Sequence, residues 1–236
     1  MLIDPPSSDN RYRRRRLDDF AEILDTAGLS VPRRALDAAY EASGGYLGRV
    51  WQEHRDVPVD RHVSSILAAA DPALPRRVAP RVMAELVQAY GRPALLVPPA
   101  VDPGARAALE ALAARGYTLA VISNTMRTPG VVLRQLLGHY GLLTFFAHTA
   151  FSDEVGVRKP AAEIFARSLR AVGGEPATAV HVGDDPILDV EGAHGAGMRA
   201  VHLRSTPGEP PAGQAADAVI RSIRDLPEAV ARLDVA

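Results

Sequence analysis

From Leu17 to about Tyr90 the apolar residues recur at helical spacing, and no run alternates as a half-buried strand would. Leu17, Phe20, Ala21, Ile23 and Leu24 share one face. Gly28 ends that helix and Pro32 opens the next, because glycine suits a helix stop and proline a first turn. The same spacing predicts helices over 33–43, 46–54, 60–70 and 76–90. The character changes near Pro93. Short β-rich runs at 117–122, 145–150, 178–182, 199–203 and 217–220 alternate with helices over 103–115, 129–139, 160–172, 186–196 and 226–233. Alternation of this kind specifies an α/β fold, a doubly wound parallel sheet with helices on both faces. Pro93 to Pro103 reads as a linker and Pro207 to Gly213 as a surface loop.

Composition narrows the function classes. The chain has 236 residues, 47% of them hydrophobic, enough for one full domain and a smaller insert. A net charge of -1 supplies no long-range field for a general nucleic-acid binder. The absence of cysteine excludes disulfides, zinc–thiolate sites and cysteine nucleophiles. No apolar run approaches the ~20 residues of a membrane span. Asp4, Pro5 and Pro6 interrupt any signal-peptide core, so a cytoplasmic monomer or homodimer is expected. The seven histidines show no i,i+4 pair that would suggest a zinc site. Arg11 to Arg16 reads as a solvated helix face, some of which could turn toward a site, and Trp51 as core of the helical half. Gly192, Gly195 and Gly197 read as helix–sheet packing and a helix stop rather than a dinucleotide fingerprint. Of the 27 basic residues only one, Lys159, is a lysine.

Ligands of a doubly wound sheet bind beyond the carboxyl ends of its strands. Three loops are placed there: Ser123-Asn124-Thr125, Ser152 through Lys159-Pro160, and Gly183-Asp184-Asp185 with Asp189 one turn on. Each has an ordinary reading by itself: a turn or N-cap, a solvated helix start with Pro160 at its first position, and an acidic cap. Together they bring a hydroxyl, an ammonium and carboxylates to one edge. That set suits phosphoryl chemistry, where catalysis is mainly positioning and charge stabilisation. Mg²⁺ takes one or two carboxylates plus waters and phosphate oxygens.

These three loops resemble three motifs of the haloacid-dehalogenase-like hydrolase superfamily. An apolar strand ending in Ser or Thr is matched by Leu119 to Ser123. A Lys before a helix is matched by Arg158-Lys159-Pro160, and Gly-Asp-x-x-x-x-Asp by Gly183, Asp184 and Asp189. The resemblance implies a Rossmann-like core over 1–9 and 97–236 and an inserted all-helical cap over 10–96, closing over the three loops. It implies a Mg²⁺-dependent phosphatase of a small phosphorylated metabolite, working through an aspartyl-phosphate intermediate. Ser123 and Asn124 would bind the phosphoryl group, Lys159 would neutralise it, and Asp184 would ligate Mg²⁺ with Asp189 as ligand or neighbour. The superfamily's first motif, Asp-x-Asp-x-Thr/Val, is not found; Met1 falls on its fifth position. Met1 is therefore expected not to be the native start, with roughly ten upstream codons supplying an apolar strand and the nucleophile. As given, the chain is expected to show no phosphatase activity. The alternatives are an inactive relative that binds a ligand or partner, and a haloacid dehalogenase, against which the acidic pair Asp184 and Asp189 argues.

Overall fold

The computed structural model describes residues 2–3, 8–125, 127–204 and 215–234. The expected loop 207–213 and the Asp4–Pro6 segment discussed for the first motif lie outside them.

The first part is a bundle of helices: α1 (Ser8–Thr26), α2 (Arg33–Gln52), α3 (Val59–Ala70), α4 (Leu74–Arg77) and α5 (Pro80–Leu96). Its core joins Leu17, Phe20 and Leu24 of α1 to Leu36, Ile66 and Leu86 of the later helices, all fully buried. Each such side chain contributes about 1.5–3 kcal/mol of transfer free energy. Two expectations are corrected here. The helices read over 33–43 and 46–54 are one helix, because Leu36, Tyr40, Ser43 and Leu47 form a continuous buried face across Gly44 and Gly45. Packing along that face outweighs the ~1 kcal/mol that each interior glycine costs. Likewise Pro93 does not end its helix: α5 runs through it to Leu96, with Gly91, Pro93 and Ala94 buried.

The second part alternates as expected: α6 (Ala105–Ala114), β3 (Leu119–Ser123), α7 (Gly130–His139), β4 (Phe146–Phe151), α8 (Ser152–Val155), α9 (Ala162–Val172), β5 (Val180–Gly183), α10 (Gly192–Gly195), β6 (Arg199–Leu203), β7 (Ala218–Ile220) and α11 (Leu226–Asp234). The segment expected as a helix over 186–196 begins as a π-helical turn, Pro186–Glu191, before α10. A small antiparallel pair not foreseen in the sequence, β1 (Leu2–Ile3) with β2 (Ala100–Val101), closes the junction between the two parts.

The parallel sheet is in two pieces among the described residues. β3 pairs with β4, and β5, β6 and β7 pair in that order, all in parallel. No ladder joins β3 to β5. A strand with a neighbour on one edge only stays partly open to solvent. The run 117–122, expected as a strand, forms β3 from Leu119 to Ser123, half-buried with Ala120 exposed. No described helix is long and apolar enough to cross a membrane.

Candidate functional site

The carboxyl ends of β3 and β5 are bridged by a side chain rather than by backbone. Lys159 Nζ donates to the Ile122 carbonyl of β3 at 3.2 Å and to Asp189 Oδ1, beyond β5, at 2.5 Å. The ammonium is largely buried, with 11% of its side chain exposed. Its main chain is held as well. Asn124 Nδ2 donates to the Lys159 carbonyl at 2.9 Å, and the Lys159 N–H donates to Asn124 Oδ1 at 2.8 Å. Asn124 thus orients Lys159 with both ends of its amide. Pro160 is not a first helical residue: the Lys159–Pro160 bond is cis and α9 starts at Ala162.

Asp189 is the hub beneath the ammonium. Its Oδ1 also meets His181 Nε2 of β5 at 2.8 Å, and its Oδ2 accepts from the Asp185 N–H at 3.1 Å. Burial by itself would raise this carboxyl, but the hydrogen bond from His181 and the charge of Lys159 outweigh it and hold it well below the usual carboxylate range. Burial pushes His181 the other way, below its ordinary value, so the neutral ring donates Nε2–H. The ring stands edge-on to Phe165 at 5.0 Å. Gly183 has no alternative here, since a Cβ at that position would lie inside the Asp189 carboxyl group.

Two groups remain unspent. Ser123 Oγ, at the end of β3, has no hydrogen-bond partner among the described residues. Asp184 is exposed, and its carboxylate is likewise unpartnered, while Asp185 is used as a cap, accepting from the Ile187 and Leu188 N–H groups. Asp189, expected as a metal ligand or as the neighbour of one, is engaged by Lys159 and His181. No cluster of three or more acidic, histidine or cysteine side chains suited to a metal occurs among the described residues.

The helical part seats one loop against this edge. Residues 54–56 pair with 156–158 in antiparallel fashion: the Arg158 N–H donates to the His54 carbonyl at 2.9 Å and the Asp56 N–H to the Gly156 carbonyl at 3.2 Å. His54 takes φ 53° to do so, uncommon for a residue with a Cβ. The Asp56 carboxylate enters a polar knot. Its Oδ2 accepts from Arg158 at 2.6 Å and from Ser152 Oγ at 2.5 Å, and its Oδ1 from Trp51 Nε1 at 3.2 Å. Arg158 also donates to the Thr125 carbonyl at 2.7 Å and lies 4.2 Å over the Trp51 ring. Trp51 therefore sits at the junction of the two parts, not in the helical core. Thr125 and Ser152 lie in loops that the sequence singles out, though it assigns neither a role; His181, a polar residue in an apolar strand, offers a weaker signal, and Asp56 none. Of the Arg11 to Arg16 run, Arg11, Arg14 and Arg15 are exposed as expected, and Arg16 turns inward.

Known proteins resemble this chain in sequence and in fold. A phosphoserine phosphatase of Thermus thermophilus is 38% identical over 123 residues, 52% of this chain and 47% of that protein. A glyceraldehyde 3-phosphate phosphatase of Methanothermobacter thermautotrophicus is 38% identical over 105 residues, 44% of each chain. The chain spans about half the length of these curated relatives. Among solved structures, a 2-haloacid dehalogenase from Pseudomonas syringae pv. tomato superposes with a TM-score of 0.69 at 23% identity, covering 98% of this chain and 94% of that one, a likeness of fold. A phosphatase of the same superfamily from Thermococcus onnurineus superposes with a TM-score of 0.55 at 26% identity, covering 90% and 86%. The family model for haloacid dehalogenase-like hydrolases matches residues 13–197, most of both parts, and the chain belongs to that family.

Proposed function

We propose that the protein handles the phosphate of a small phosphorylated metabolite at the edge formed by Ser123, Lys159 and Asp184, as a phosphatase. The observation that carries this reading is the Lys159 ammonium, fixed across the ends of β3 and β5 beside one unspent hydroxyl and one unspent carboxylate. Ser123 Oγ donates to a phosphoryl oxygen. Lys159 supplies a compact positive charge, already held in place by Asn124 and Asp189, so little reorganisation accompanies binding. The relatives named as phosphatases support the same class of substrate.

The donor set admits Mg²⁺ in one way. Asp184 is the carboxylate available to it, and one carboxylate with waters and a phosphate oxygen is a set this ion accepts. When bound, the ion would offset charge on the phosphoryl oxygens. Asp189 acts one step removed, by holding Lys159 and, through the Asp185 N–H, the loop that carries Asp184.

The alternative reading is a relative without turnover; Asp189, the acid in contact with Lys159, has both oxygens engaged and holds the lysine in either case. In that reading the protein binds the phosphorylated ligand without turning it over. Titration with orthophosphate followed by ³¹P NMR, with and without Mg²⁺, tests the shared element. Lys159→Ala and Ser123→Ala should weaken binding at least tenfold, and Asp184→Asn should remove the effect of Mg²⁺. Unchanged phosphate affinity in Lys159→Ala would overturn both readings. Turnover of a metabolite panel then separates them, and in an active protein Lys159→Arg should lower it by orders of magnitude.

A further inference from the structure

His202 is a polar side chain buried in an apolar strand. It is 8% exposed and follows the buried Ala200 and Val201 on β6. Burying a polar ring is costly unless it is hydrogen-bonded. Its bond leaves the sheet: Nε2 donates to the Asp184 carbonyl, just beyond the end of β5, at 3.1 Å. A carbonyl only accepts, so Nε2 carries the proton. Among the described residues no backbone N–H donates to that carbonyl.

The strand register explains this reach. β5 and β6 are parallel, with His181 opposite Ala200 and Gly183 opposite His202. Opposite residues point to the same face, and so do alternate residues of one strand. His181, Gly183 and His202 therefore share one face, on which the Asp189 carboxyl fills the space a Gly183 Cβ would take. The Asp184 carbonyl and the Asp185 N–H belong to a single planar peptide group. His202 holds its carbonyl end, and Asp189 Oδ2 accepts from its N–H end at 3.1 Å. The plane is thus held from both sides, and Asp189 is itself fixed by Lys159 and His181. The Asp184 carboxylate makes no bond of its own among the described residues, so the orientation of this peptide decides where it points.

We propose that His202 is a positioning residue for this edge: through the peptide between Asp184 and Asp185 it aims the Asp184 carboxylate at Mg²⁺, while Asp189 ties the same peptide to Lys159. It acts through Asp184 rather than on a ligand, and the inference rests on the phosphate reading for what Asp184 and Lys159 meet together. Without the bond from His202 the peptide is held at its N–H end alone, and the carboxylate loses its aim. Removing such an outer partner of a metal ligand typically costs about 10–100-fold in metal affinity.

The test titrates Mg²⁺ into the full chain, followed by ¹H–¹⁵N spectra, and measures orthophosphate binding without Mg²⁺ by ³¹P NMR. His202→Leu, which keeps bulk and removes the donor, should weaken Mg²⁺ binding at least about tenfold. His202→Gln, whose side-chain amide can donate to the same carbonyl, should restore most of the affinity. Orthophosphate affinity without Mg²⁺, set by Ser123 and Lys159, should be unchanged in both variants, which a general loss of structure would not allow. Equal Mg²⁺ affinity in the wild type and His202→Leu, no rescue by His202→Gln, or a wild type that binds no Mg²⁺ would overturn the proposal. If His202→Leu fails to fold, the wild-type ring decides. Long-range ¹H–¹⁵N spectra should place a proton on Nε2, and its signal should move with that of the Asp185 N–H as Mg²⁺ is added. A proton on Nδ1 alone, or a His202 signal that ignores the ion, would also overturn it. Mg²⁺ binding that depends on His202 in a protein that binds no orthophosphate would sink the phosphate reading alone.

Discussion

Asp56→Asn should destabilise the protein by removing the carboxylate that pairs with the buried Arg158. The two side chains are 3% and 6% exposed, so neither charge is screened by water. The aspartate oxygens face donors only: Arg158 and Ser152 on one, Trp51 and the Val57 N–H on the other. An asparagine must turn its NH₂ toward one of these sets, so it loses acceptors as well as charge. Breaking a buried ion pair from one side costs about 3–5 kcal/mol. For a chain of this length that is a fall in Tm of roughly 6–20 °C. Urea unfolding followed by far-UV circular dichroism measures it. Trp51, the single tryptophan, reports the junction separately by fluorescence. Removing the other charge as well, in Asp56→Asn with Arg158→Met, should recover part of the loss, with a coupling above about 1 kcal/mol. A loss under 1 kcal/mol in Asp56→Asn, or simple additivity in the double variant, would refute the view that this pair ties the helical part to the edge carrying Lys159.

His62 should make the protein acid-sensitive. Its folded value of about 3 lies below the ordinary 6.5, so the unfolded chain binds the extra proton, and stability is lost as pH falls from 6.5 toward 3. The loss should reach several kcal/mol, and urea midpoints between pH 7 and 4 that are as pH-dependent in His62→Gln as in the wild type would refute it. Gly183→Ala should cost about 1–3 kcal/mol by overpacking and weaken phosphate binding, because the new Cβ displaces Asp189 and frees Lys159; normal phosphate affinity by ³¹P NMR would show that Asp189 does not set the lysine. Gly130→Ala, whose Cβ would meet the Phe151 ring, should destabilise the end of β4 by a similar ~1–3 kcal/mol, read from its unfolding midpoint.

The sequence by itself determined most of the order of elements and which loops follow the strands. Helical spacing from Leu17 onward and the alternation after Pro93 are local patterns, and so are a serine at a strand end and an acid after a glycine. Each is set by residues a few positions apart, which is why the helical and α/β halves and the loops of Ser123, Lys159 and Asp184 could be read directly. What failed were the stops. Gly44, Gly45 and Pro93 look like helix ends locally, yet α2 and α5 pass through them because a continuous buried face repays the local cost. The division of labour within the site was also beyond the sequence. Asn124 and Asp189 read as ligand-binding residues, but they are spent on Lys159, and only the packing of β3 against the β5 loop decides that. Asp56 meets Ser152 and Arg158, 96 and 102 positions along the chain, to bind the two parts together. Contacts of that range have no periodic or spacing signature, because the chain between them can take any path that brings their ends together. Tertiary structure alone chooses which buried charges are paired, as Asp56 is with Arg158.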